Sequence, residues 1–228
     1  MPSTALFADR TQAGEKLALA IRGVLTEQTA EYGKKPRTIV YALPRGGLPV
    51  AAPIARLLNC PLTVEVAKKI SHPENPELAI GAVTASGNVL WDEYLFRNRP
   101  NLPWRSTAIN TAINKAKLLE EQLSPACPQV SPEGATLILV DDGVATGMTI
   151  AVAATALRKL SPAEVWLCAP VVPFKLLPWL RQWGDRLIFL QTPESFLSVS
   201  HFYLEFPQVE TTEARKYLEQ QNQPVEEE

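Results

Sequence analysis

Residues 136–154 read T-L-I-L-V-D-D-G-V-A-T-G-M-T-I-A-V-A-A, and this stretch has three parts. Thr136–Val140 is a short aliphatic run behind the turn signal Pro132-Glu133-Gly134, which predicts a buried strand. Met148–Leu157 is rich in alanine and continues to Leu160, which predicts a helix. Between them stand two carboxylates, Asp141 and Asp142, and the run Gly143-Val144-Ala145-Thr146-Gly147, with Thr149 just beyond. A loop where a strand ends and a helix begins is where open α/β sheets take their ligands. Gly143 and Gly147 permit a tight turn and close approach of the backbone to a ligand. Free amides at a helix start cradle an anion, aided by the helix dipole, and Thr146 and Thr149 add hydroxyls. Asp141 and Asp142 would repel a phosphate placed on top of them. They suit a neutral diol such as the ribose hydroxyls, or a Mg²⁺ beside the phosphate. The loop therefore reads as a site for a ribose 5-phosphate.

Working outward, the same grammar recurs. Thr11–Tyr32 carries Leu17, Ile21, Val24, Leu25 and Gln28 at helical spacing, and Asp9 before it suits a cap. Arg37–Leu43 is a strand signal followed by Pro44-Arg45-Gly46-Gly47 and a helical stretch, Leu48–Asn59. Pro61–Ala67 reads as the next strand, with Lys68 and Lys69 at its end, and Ser71–Pro76 reads as a polar, mobile loop. Glu77–Val83 and Gly87–Leu90 read as a hairpin, and residues 98–103 as a loop. Ser106–Leu123 reads as a helix, and Glu164–Val172 and Arg186–Leu190 as further strands. Strands alternating with helices predict an α/β doubly wound, mostly parallel sheet in a single domain. After Gln191 the chain turns aromatic, with Phe196, Phe202, Tyr203 and Phe206. A terminal helix at Thr211–Gln221 and an acidic, disordered tail at 224–228 follow.

Composition excludes several classes. The 228 residues carry a formal net charge of −2 with no Lys/Arg cluster, against a nucleic-acid-coating surface. The 3 cysteines are dispersed without Cys-x-x-Cys spacing, which fits reduced thiols in the cytoplasm rather than disulfides or zinc. No apolar run approaches the ~18 residues of a membrane span, and the N-terminus has no signal-peptide core. A P-loop is excluded by the lack of Gly-Lys-Ser/Thr. A serine hydrolase is disfavoured by the lack of Gly-x-Ser-x-Gly.

The order of hydrophobic strand, Asp141-Asp142, small residues, Thr146-Gly147 and Thr149 resembles the phosphoribosyl-pyrophosphate (PRPP) loop of type I phosphoribosyltransferases. Asn75–Val83, NPELAIGAV, resembles a bacterial branch of predicted phosphoribosyltransferases, together with Asp9-Arg10 and the C-terminal segment. The resemblance covers nearly the whole chain. It implies a small hood from about residues 191–210, to which the N-terminal helix could add. It implies Mg²⁺-dependent transfer of phosphoribose from PRPP to a nitrogenous acceptor, with pyrophosphate leaving. Asp141, Asp142, Lys69 and Arg45 would be the catalytic set, and Asp141 and Asp142 would also meet the metal, directly or through water. PRPP would lie on Arg45, Gly46, Gly47, Lys68 and Lys69 and on the run Asp141, Asp142, Gly143, Val144, Ala145, Thr146, Gly147, Met148 and Thr149. Of the two lysines, Lys69 is the first choice for pyrophosphate and Lys68 the second. Phe196, Phe202 and Tyr203 would stack on the acceptor. A cytoplasmic protein, in a family often dimeric, is the implied setting. The acceptor stays open, and so does a regulatory protein that binds PRPP without turnover.

Overall fold

The computed structural model describes residues 5–92 and 103–223. The loop expected at 98–103 is mostly outside them, and the tail at 224–228 wholly so.

Five parallel strands form the central sheet: β1 (Thr38–Ala42), β2 (Leu62–Val64), β6 (Thr136–Val140), β7 (Glu164–Val171) and β8 (Arg186–Gln191). Their spatial order is β2-β1-β6-β7-β8. β1 and β6 are buried along their whole length, as expected of parallel strands covered on both faces. Alternate residues serve the two layers. Val40, Ile138 and Trp166 pack with Leu17, Ile21 and Leu25 of α1 (Arg10–Tyr32) and Val50 and Ile54 of α2 (Gly47–Leu58). Ile39, Tyr41, Leu137 and Leu139 pack with Ile150, Ala154 and Leu157 of α4 (Met148–Arg158). The doubly wound sheet is therefore present.

β1 lies directly beside β6, with Thr38 opposite Thr136 and Ala42 opposite Val140. The chain winds away from this pair in both directions, so the crevice beyond the carboxyl ends of β1 and β6 is the topological switch point where such sheets bind ligands. The loops after Ala42 and after Val140 are the two singled out in the sequence.

One expectation fails here. The chain leaves the parallel sheet after Val64, and Lys68 and Lys69 stand inside a new strand, β3 (Ala67–His72). β3 pairs antiparallel with β4 (Asn75–Thr84), which pairs antiparallel with β5 (Val89–Trp91). Ser71–Pro76 is thus the tip of a hairpin rather than an open loop. It reads as a loop in sequence because its residues are polar and Pro73 punctuates them, yet a hairpin tip exposes the same residue types. Helix α3 (Arg105–Leu123) lies on this small sheet, with Ala112 against Ile70, Ile80 and Val83. A four-residue helix, α5 (Leu177–Leu180), precedes β8.

Beyond β8 the chain crosses back over the switch point. Leu6 and Phe7 amides donate to the Phe202 carbonyl, and Leu204 and Glu205 amides donate to Phe7 and Ala8. The segment that covers the site is thereby tied to the residues just before α1. The last helix, α6 (Thr211–Asn222), buries Ala214 and Leu218 against the α1/α2 layer.

Candidate active site

The two loops at the switch point touch. The Leu43 amide donates to the Val140 carbonyl at 2.8 Å. A Cβ on Gly47 would lie 2.7 Å from the Val140 carbonyl oxygen. One on Gly46 would overlap the Asp142 carboxylate, with Cγ at 2.8 Å. These glycines let one switch-point loop seat against the other, which adds a packing reason for their presence.

Gly147 opens α4 in the left-handed conformation, φ 80°, and α4 has no side-chain cap. The first-turn amides of this helix are therefore free of a capping acceptor and point outward as an anion cradle. A Cβ on Gly147 would lie 2.6 Å from the Trp179 ring, so bulk here presses first on that tryptophan, behind the loop.

A cavity of ≈290 Å³ is lined by Lys69, Asp141, Asp142, Gly143, Val144, Ala145, Thr146, Gly147, Thr149, Ile150, Val199 and Phe206. It gathers most of the run nominated from sequence, and Lys69 across from it. A larger cavity of ≈660 Å³ lies behind the loop and shares only Thr146 with it. Trp179 and Trp183 line that space, with Asp92 its single charged residue. Chemistry rather than size selects the first cavity.

The carboxylates are not equivalent. The Asp142 amide donates to its neighbour's Oδ1 at 2.9 Å. Burial, and then the charge of Asp142, push the Asp141 carboxyl well above the usual carboxylate range, while Lys69 pulls the other way. Burial also raises Asp142, opposed by Arg10, whose Nε donates to Asp142 Oδ2 at 2.7 Å. Two partly buried acids on adjacent residues favour a hydroxyl donor or a cation. A group of three metal-ligating side chains is absent among the described residues. Mg²⁺ does not require one, since it binds through one or two carboxylates and substrate phosphates. Asp141 and Asp142 fit that pattern.

The basic residues divide. Lys69 faces Asp141 in the cavity. Lys68 lies on the other side of β3, where burial and the nearby charges of Arg45 and Lys115 lower its pKa. Arg45 is outside the cavity lining. Its Nη1 donates to Thr211 Oγ1 at 3.2 Å and pairs with Glu210 at 3.7 Å.

The aromatic nominations change most. Tyr203 is buried, with Phe7 and Phe206 rings beside it at 5.4 and 4.9 Å, and its hydroxyl donates to the Asp142 carbonyl at 2.6 Å. It is a strut under the loop, with no ring face free to stack. Phe196 and Phe202 stack on each other at 5.5 Å, and neither lines the cavity. Val199 and Phe206 stand there instead.

Sequence reasoning also missed Arg10. One signal was available: an arginine in the first helical turn faces the positive end of the helix dipole, so it needs another partner. That partner is Asp142, far along the chain.

The chain belongs to the phosphoribosyl transferase domain family, which matches residues 8–175. Proteins from two Mycobacterium tuberculosis strains that carry the provisional name phosphoribosyl transferase are 30% identical over 219 residues. The match covers 94% of this chain and 46% of theirs, so the chain spans about half their length. A crystal structure of TT1426 from Thermus thermophilus is similar throughout: 29% identity, TM-score 0.74, and coverage of 94% of this chain and 98% of that one. No helix among the described residues is long and apolar enough to cross a membrane.

Proposed function

We propose that the protein transfers the phosphoribosyl group of PRPP to a nitrogenous acceptor and releases pyrophosphate. One observation carries the reading: a cavity at the switch point joins two adjacent, partly buried carboxylates to an uncapped helix start, with Lys69 also in its lining. The loop amides between Gly143 and Thr149, other than that of Val144, which donates to the Val171 carbonyl, would hold the 5-phosphate. Asp141 and Asp142 would accept hydrogen bonds from the ribose hydroxyls and favour positive charge developing at the anomeric carbon. Arg45 and one of the two lysines, Lys69 as first choice and Lys68 on the other side of β3 as second, would meet the pyrophosphate, with the Arg45 guanidinium turning from Glu210 and Thr211. Mg²⁺, held by Asp141 and Asp142 directly or through water, would neutralise phosphate oxygens. Such a reaction gains most from alignment and fixed charge, which rigid loops on parallel strands provide.

The test is pyrophosphate release from PRPP and Mg²⁺ with a panel of purine and pyrimidine bases. Release with at least one base, lost in Arg45→Ala, supports transfer. PRPP binding without release from any base would instead describe a regulatory protein that reads PRPP.

A further inference from the structure

Arg10 is 8% exposed and has three partners at once. Its Nε meets Asp142 Oδ2 at 2.7 Å, its Nη1 meets the Pro207 carbonyl at 2.7 Å, and its Cζ lies 3.6 Å from the centre of the Phe206 ring. Asp142 belongs to the loop read as the ribose site, whereas Phe206, which also lines the cavity, and Pro207 belong to the segment after β8. Two further contacts join the same parts. Tyr203 donates to the Asp142 carbonyl, and a Cβ on Gly143 would lie 2.8 Å from Val199 Cγ2. A guanidinium suits the joint because its planar fork serves two acceptors while its face rests on an aromatic ring. A lysine ammonium offers no such fork or face.

We propose that Arg10 is a positioning residue: it holds the Asp142 carboxylate against the Phe206–Pro207 segment, so that the ribose side of the cavity and the wall carrying Phe206 are assembled as one unit. This rests on Asp142 being a ribose-binding residue. The helix that carries Arg10 then belongs to the active site, although it supplies no group that touches the reacting atoms. An acceptor would enter a site whose wall is already fixed relative to the ribose.

The experiment pairs two readouts on Arg10→Gln and Arg10→Lys, each also made with Asp142→Asn, and with Arg215→Ala as a surface control. The first is hydrogen exchange in the free protein. The Val144 amide is bonded to Val171, and the Leu204 and Glu205 amides to Phe7 and Ala8. Arg10→Gln should speed exchange at Val144 and at Leu204 and Glu205 together, by about tenfold, with Arg215→Ala unchanged. Acceleration on one side only, or on neither, overturns the proposal. The second readout is PRPP affinity with Mg²⁺. Arg10→Gln should weaken it about tenfold in the parent protein and less than about twofold beside Asp142→Asn, because one change acts through the other. Equal losses in both backgrounds overturn the proposal. If Arg10→Gln does not fold, Arg10→Lys carries both measurements, with smaller changes of the same pattern. If the parent protein binds no PRPP, the phosphoribosyl reading fails, and the joint is judged by the exchange result alone.

Discussion

Replacing Gly46 by alanine should destabilise the protein through a residue it only touches. Gly46 has φ −61° and ψ −29°, a conformation alanine adopts without strain. The obstacle is steric. The new methyl would overlap the Asp142 carboxylate, with Cγ at 2.8 Å. That carboxylate has a short stem and is held by Arg10 at 2.7 Å, so it cannot yield without loosening the pair. A hydrogen bond to a charged group contributes ~1.5–3 kcal/mol. Leaving a buried charge without its partner costs ~3–5 kcal/mol. Partial displacement gives a loss of roughly 2–4 kcal/mol, and in a domain of this size a fall in Tm of roughly 4–16 °C. Gly23→Ala is the matched control. That glycine sits exposed in α1 with nothing within 4 Å of the added carbon, so alanine should stabilise by ~0.5–1 kcal/mol. Thermal melts of the two variants should move in opposite directions. A Gly46→Ala protein that melts at or above the parent temperature would refute the argument that the two loops are packed on this glycine.

Other expectations follow from the site and its surroundings. Burial, with Glu120 adding, pushes the Glu65 carboxyl up to about 8. The fold then holds a proton that the unfolded chain releases near pH 4.5, so this group's contribution to stability falls as pH rises between those values. Melting temperature should drop more steeply from pH 5 to pH 8 in the parent than in Glu65→Gln; parallel curves would remove that role. Lys68 sits near Arg45 and Lys115, and all three carry positive charge. Lys68→Met should leave the free protein as stable or more so while weakening PRPP more than ribose 5-phosphate; calorimetry showing equal losses would take Lys68 away from the pyrophosphate. Gly147→Val forces a side chain into left-handed backbone and against Trp179. It should lower the melting temperature and shift tryptophan fluorescence even without ligand, and an unchanged spectrum would count against that contact.

The parallel sheet and the main loop were legible because their signals are local. Continuous apolar runs such as Thr136–Val140 and Val165–Val172 announce buried strands, and the Asp-Asp-Gly stretch sits between a strand and an alanine-rich helix. Lys68 and Lys69 misled because a strand looks alike in a parallel and an antiparallel sheet. The departure after Val64 carries neither glycine nor proline to mark it. The aromatic segment misled because composition cannot say which ring is buried. Tyr203 and Phe206 are three residues apart, yet one props the loop from beneath and the other faces the cavity. Arg10 was hidden for a different reason. Its partner Asp142 is 132 residues away, and only the folded sheet brings the start of α1 to the end of β6.

The most direct test of the central claim is a thermal melt with PRPP and Mg²⁺, run on the parent protein and on Asp141→Asn/Asp142→Asn. A ligand that binds only the folded state stabilises it by ~2.7 kcal/mol at a hundredfold excess over Kd. That corresponds to a rise of roughly 5–11 °C in a domain of this size. The account predicts that rise in the parent and its loss in the double variant, which should remain folded. No shift in the parent, or the same shift in both proteins, would contradict the assignment of this loop to PRPP.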